Sequence, residues 1–171
     1  MSSNHTTSNL TSWQQEADVY LKKGNYQKAA SLYEQAINTD PSHKSNYWQL
    51  GLILLLQGKE EEAQTTWLLG MADGELEEVE QWTEELVQIL TTEANRQATT
   101  EDYSVAWAIR QHIREIHPTD IHNLLHLIYL SIGLENYTAD QLTEYEIITQ
   151  LENSKIEELD QDLLLHLLNK L

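Results

Sequence analysis

Cysteine is absent from this chain, which excludes disulfides and thiolate metal sites. Proline occurs only at Pro41 and Pro118, and there are six glycines, while Leu, Glu and Gln are abundant. Few residues therefore interrupt a helix, and the composition favours helix throughout. Long apolar runs are also missing. The longest, Leu50 to Leu56 with Gly51 inside it, falls far short of the roughly 20 residues that cross a bilayer. The start, Met1 to Asn9, is polar and has no apolar signal core. These absences describe a soluble, cytoplasmic protein with no membrane partner.

Positive charge is the other scarcity. The chain carries 10 Lys and Arg against 28 Asp and Glu, a net charge of −18. The imbalance is uneven: residues 1–59 hold five Lys and four acids, and residues 60–171 hold five basic residues and 24 acids. Such a surface repels phosphate backbones and anionic lipid, which excludes nucleic acid as the partner of the later part. It either keeps a helical array soluble or steers a Lys/Arg-rich ligand.

Residues 13–70 repeat themselves at a spacing of 34. Ala17 is answered by Gly51, Gly24 by Gly58, Ala29 by Ala63, Tyr33 by Trp67 and Ala36 by Gly70. Chemical type is kept at each step: small with small, turn glycine with turn glycine, aromatic with aromatic. That period predicts stacked helix–turn–helix units, which build binding surfaces more often than active sites. Small residues at Ala17/Gly51 and Ala29/Ala63 let the two helices of a pair approach, with Tyr20, Tyr33 and Trp67 filling the space beside them.

Read along the chain, Ser12 caps a first helix to about Lys23, and Gly24-Asn25 breaks it. A second helix runs from about Tyr26 to Asn38 and stops at Asp40-Pro41. Lys44 to Gln57 is apolar on most faces and so is buried on most faces. Gly58 turns the chain into a helix from Lys59 to about Met71. After Gly74 the period fails. Leu76 to about Ala98 reads as one long acidic helix with Val79, Trp82, Leu86, Ile89 and Leu90 inward. Glu101-Asp102 opens the next, through Ile116, and Asp120 caps another to Leu134. Helices over about 138–152 and 160–171 close the chain, the last as a cap. The organisation is a disordered tail over 1–11, two repeats over 12–74, a degenerate third helix pair over 75–118 and a divergent helical part over 119–171. The total is about nine helices.

Trp13, Ala17, Tyr20, Gly24, Tyr26, Ala29, Tyr33, Ala36 and Pro41 resemble a nearly complete tetratricopeptide repeat. Leu50, Gly51, Gly58, Ala63, Trp67 and Gly70 resemble a second, and Tyr103, Ala106 and Pro118 the later half of a third. The resemblance implies an all-α, right-handed superhelical array of antiparallel hairpins that binds protein or peptide in a concave groove. In that family the groove is lined by the first helix of each pair. Here this gives Gln14, Gln15, Asp18, Leu21 and Lys22, then Trp48, Gln49, Leu52, Leu55 and Leu56. The branch of the family that grips a terminal carboxylate uses basic residues on these faces, and only Lys22 is basic here. Trp48, Leu52, Leu55 and Leu56 have two readings: anchors in an apolar groove, or core beneath neighbouring helices.

The stretches 47–58 and 63–69, Gln81 to Val87 and Ala106 to Ile116 are similar to N-terminal regions of large cyanobacterial proteins. Those proteins continue into SPINDLY-type glycosyltransferase or FkbM-type methyltransferase domains. The resemblance implies a helical front end of a larger transferase, with no catalytic domain in these residues.

Enzyme chemistry within the chain has little to rest on. No phosphate loop, dinucleotide fingerprint or nucleophile elbow is present, and no cofactor is implied. Carboxylates such as Glu60-Glu61-Glu62 lie in helical runs that read as solvated faces. The alternative is a metal site in the cluster His112, His117, His122 and His126. His122 and His126 stand four apart on one helix, a spacing that lets two imidazoles share a metal. Asn123 occupies the position where a zinc-protease helix carries its Glu.

Overall fold

The computed structural model describes residues 10–133, and all regular structure within them is helical. Seven helices follow in order: α1 (Ser12–Lys22), α2 (Tyr26–Thr39), α3 (Lys44–Leu56), α4 (Glu60–Met71), α5 (Leu76–Thr99), α6 (Tyr103–Ile116) and α7 (Ile121–Gly133). The helices expected near 138–152 and 160–171, and most of the expected tail, lie outside the described residues. The chain divides into two compact units, residues 1–85 and residues 86–171, with the division inside α5.

In the first unit α1 packs on α2, α2 on α3 and α3 on α4. The residue before α1 is Thr11 rather than Ser12: the Gln14 Oε1 accepts the Thr11 N–H and its hydroxyl, each at 3.0 Å. Ala17, Ala29 and Ala30 are buried in α1 and α2, and Trp13 meets Tyr33 edge-on with centroids 5.3 Å apart. Burial pushes the Tyr33 hydroxyl up to about 12, with the Asp18 charge adding to the effect.

The α3–α4 pair is fitted more tightly. A β-carbon on Gly51 would run into the Trp67 indole, whose Nε1 donates to the Trp48 carbonyl at 3.2 Å. A β-carbon on Gly70 would stand 2.7 Å from the Trp48 ring. Each helix thus gives up a side chain where the other inserts a tryptophan. Lys44, in the first turn of α3, pairs with Asp73 at 2.5 Å and lies 5.0 Å from the Trp82 centroid. It ties α3 to the turn after α4 and to the start of α5.

Both hairpins close in one way. Gly24 (φ 72°) and Gly58 (φ 77°) take the left-handed conformation. The next amide then donates back to the carbonyl five residues earlier, Asn25 to Tyr20 at 2.8 Å and Lys59 to Leu54 at 2.9 Å. The turn between α5 and α6 repeats this, with Glu101 (φ 63°) where glycine stood and Asp102 donating to the Gln97 carbonyl at 2.8 Å. Glu101 therefore belongs to the turn. Asp102 alone caps α6, accepting the Val105 N–H at 3.3 Å.

That turn aligns a third hairpin, of which the sequence had matched only the later half, at Tyr103, Ala106 and Pro118. A small buried residue precedes each turn residue by seven: Ala17, Gly51 and Ala94. An alanine follows each by five: Ala29, Ala63 and Ala106, all fully buried. The step from the second hairpin to the third is 43 residues instead of 34, so a search at fixed period loses it. In the second unit Leu86 and Leu90 are buried on α5, as expected, while Ile89 is half-buried. The stripe continues through Glu93, Ala94 and Gln97. α6 packs on α7, burying Ala106, Ile109 and Ile113 with Leu124, Leu125, Leu127 and Leu130. Asp120 starts α7 by accepting the Asn123 N–H at 3.2 Å.

Candidate peptide-binding groove

The residues expected to line a groove are distributed by the helices that carry them. On α1, Gln15 and Lys22 are exposed, and Gln14, Asp18 and Leu21 are half-buried. Lys22 pairs with Asp18 at 2.6 Å across one turn, and Gln15 donates to the Leu10 carbonyl at 3.2 Å. Exposed pairs of this kind set side-chain positions more than they add stability. On α3, Gln49, Leu55 and Leu56 are half-buried.

Trp48 and Leu52 lie in the core, at 0 % and 2 % exposure. Of the two readings their sequence left open, core packing describes these two residues. The cause is that α3 is apolar all round, so its neighbours close over it. Trp48 also keeps a buried indole N–H with no hydrogen-bond acceptor among the described residues. Neither side chain presents surface to a ligand in this structure.

What the first unit does present is a recess of about 640 Å³ where the start of α1, the end of α2 and the start of α3 meet. Trp13, Leu32 and Ala36 form its apolar lining, and Gln14, Gln35, Thr39, Ser45 and Asn46 supply polar groups. Asp40 and His43 stand at the same recess, 2.9 Å apart. Hydrogen bonds from Ser42 hold the Asp40 carboxyl below its ordinary value, so it is an anion at neutral pH. Asn46 is 6 % exposed. It is not among the residues that the sequence placed in the groove. Such a lining can hold a short extended segment: apolar contact below, and amide and hydroxyl groups matched to a peptide backbone.

The histidines do not assemble into a comparable site. His122 is exposed, His126 half-buried, His117 exposed, and His112 buried with Nδ1 3.5 Å from Glu115. Among the described residues no group of three or more His, Asp or Glu is arranged to hold a metal ion. Also among the described residues, no helix is long and apolar enough to cross a membrane.

No curated protein matches the chain. The TPR repeat family model does match, over residues 17–58, from the small buried residue of α1 to the left-handed glycine after α3.

Proposed function

We propose that the chain is a protein-interaction module that binds a short peptide segment through the α1–α2–α3 face. The observation that carries this reading is the recess between those helices, lined mostly by residues of the stretch that matches the TPR repeat, with Trp13 and the expected groove residue Gln14 just ahead of it. Gln15, Asp18, Leu21, Lys22, Gln49, Leu55 and Leu56 extend the surface along α1 and α3. Trp48 and Leu52 act from beneath, by fixing the position of α3. The excess of acids favours ligands rich in Lys or Arg, whose approach a negative field accelerates.

The test is a peptide selection by display against the whole chain, followed by calorimetry on the selected sequences. Asn46→Leu and Gln35→Ala are expected to weaken binding by about tenfold each, the size of one lost hydrogen bond at the upper end, while the melting temperature holds. Selected peptides are expected to be basic and to associate more slowly as salt rises. Peptides that bind both variants as well as the parent chain would place the site elsewhere.

The similarity to the front regions of cyanobacterial transferases extends the proposal: the module serves as the N-terminal interaction region of a larger glycosyltransferase or methyltransferase. The reading frame downstream of Leu171 tests it directly. A transferase domain supports it, and a stop codon removes it.

A further inference from the structure

The recess of the first unit has one charged corner. The residues that α1, α2 and α3 bring to it are apolar or neutral, and Asp40 and His43, in the loop between α2 and α3, are the two lining residues that can carry charge. Both are exposed. The two oxygens of Asp40 are unevenly engaged. Oδ1 accepts twice from Ser42, from its N–H at 3.0 Å and from its hydroxyl at 2.6 Å, and these bonds keep the carboxyl ionised. Oδ2 stands 2.9 Å from the His43 Nδ1. A carboxylate oxygen has room for about two donors. Oδ1 is therefore filled, and Oδ2 can take one more.

The rest of the recess suits a single donor on a long apolar stem. Trp13, Leu32 and Ala36 form a half-buried wall. Gln35 and Thr39 add neutral side-chain oxygens along α2. Long basic side chains lay their methylenes on apolar surface while the charged head reaches a polar partner. The two basic side chains differ in what they ask of a carboxylate. The rigid fork of a guanidinium matches both oxygens at once, whereas an ammonium is a compact charge that one oxygen satisfies.

We propose that this recess takes a lysine side chain, its stem against Trp13, Leu32 and Ala36 and its ammonium on the Asp40 Oδ2, and that protonation of His43 closes the site. The inference rests on the peptide-binding reading above and names the residue of the peptide that is anchored. Histidine is the side chain that gains a proton between about pH 8 and pH 5. A neutral imidazole shares Oδ2 with the ligand. An imidazolium neutralises Asp40 and repels an incoming ammonium. Among the described residues, no other titratable side chain lines the recess. Lys44, next to His43, is paired with Asp73, and on α1 Asp18 is paired with Lys22 and Glu16 accepts from the Tyr20 hydroxyl.

The probes are capped peptides, acetyl-Ala-Ala-Xaa-Ala-Ala-amide, with lysine, arginine or norleucine at Xaa, so that none carries a carboxylate. The readout is the indole N–H signal of Trp13, assigned among the five tryptophans with Trp13→Phe. At about pH 7.5 the lysine peptide is expected to saturate with an affinity about 3- to 5-fold above that of the norleucine peptide, the worth of a solvent-facing ion pair. Asp40→Asn is expected to erase that preference and leave norleucine binding unchanged, because an amide oxygen still accepts from Ser42. Lowering the pH to about 5.5 is expected to weaken lysine binding by about 3-fold and norleucine binding not at all. His43→Gln is expected to remove the pH dependence and keep the preference for lysine. The inference alone is overturned if norleucine binds as well as lysine, if arginine binds more tightly than lysine, or if lysine binding is the same at both pH values. If no peptide moves the Trp13 signal, the peptide-binding reading of the recess falls with it.

Discussion

The α3–α4 hairpin and the α5–α6 hairpin share a turn and diverge in what fills them. In the former, Trp67 lies on Gly51 and Trp48 on Gly70, and the fit is one of shape. In the latter, the buried Arg110 stands where Trp67 does in the former, sixteen residues after the small buried residue, and is held by Asn95 and Asn123. The backbone pattern tolerates both because the small residues and the left-handed turn set how the chain reverses. The residue at the sixteenth position decides only how the space is used. Dispersion contacts are lost atom by atom as packing loosens. A polar network fails sharply when one member is removed, because its partners stay desolvated.

That contrast can be broken by substitution. Trp67→Ala should cost the most, about 3–5 kcal/mol in urea unfolding, since it empties a large buried volume. If the fit is one of shape, Gly51→Ala should be harmful beside Trp67 and much milder beside Trp67→Leu, a coupling that a double-mutant cycle measures. In the second hairpin, Asn123→Ala should cost about 2–3 kcal/mol. It removes the acceptor for Arg110 and also the 3.0 Å bond from its amide to the Arg110 carbonyl. Arg110→Met should cost less than Asn123→Ala, because it removes the buried charge itself. A reversed order would show that Arg110 is held mainly by packing.

The shared turn gives a smaller effect of opposite sign in the two regions. Gly24→Ala and Gly58→Ala should each destabilise by about 1 kcal/mol, because both glycines have positive φ and open space around them. Glu101→Gly should stabilise by about the same amount, as it relieves a left-handed glutamate. The smallest effect concerns the acid limb. The hydrogen bond from Lys44 holds the Asp73 carboxyl below its ordinary 3.8. Its contribution is therefore complete above 3.8 and is lost as pH falls through the lower folded value. Asp73→Asn should lower the melting temperature slightly near neutrality, and the difference from the parent chain should vanish as pH falls through that window.

Much of the first unit was legible in residue spacing. Ala17, Ala29, Ala63 and Gly51 are buried where a 34-residue period put them, and Gly24 and Gly58 turn the chain. The third hairpin was legible only in its later half, since nine additional residues shift its register and Glu101 hides the turn signal that glycine would have given. The recess in the first unit escaped for another reason: Asn46, Leu32 and Trp13 belong to three helices and no local pattern links them.

Sequence by itself determined the helical class, the position of the two glycine turns and the choice of small residues where helices meet. These follow from local sterics: which residues accept a left-handed φ, which continue a helix and which leave room for a neighbour. Tertiary structure decided that Trp48 and Leu52 are core and not surface, and that Arg110 is enclosed between amides. Both depend on which helices close over a given face, and that is a property of packing at long range, not of any stretch of residues.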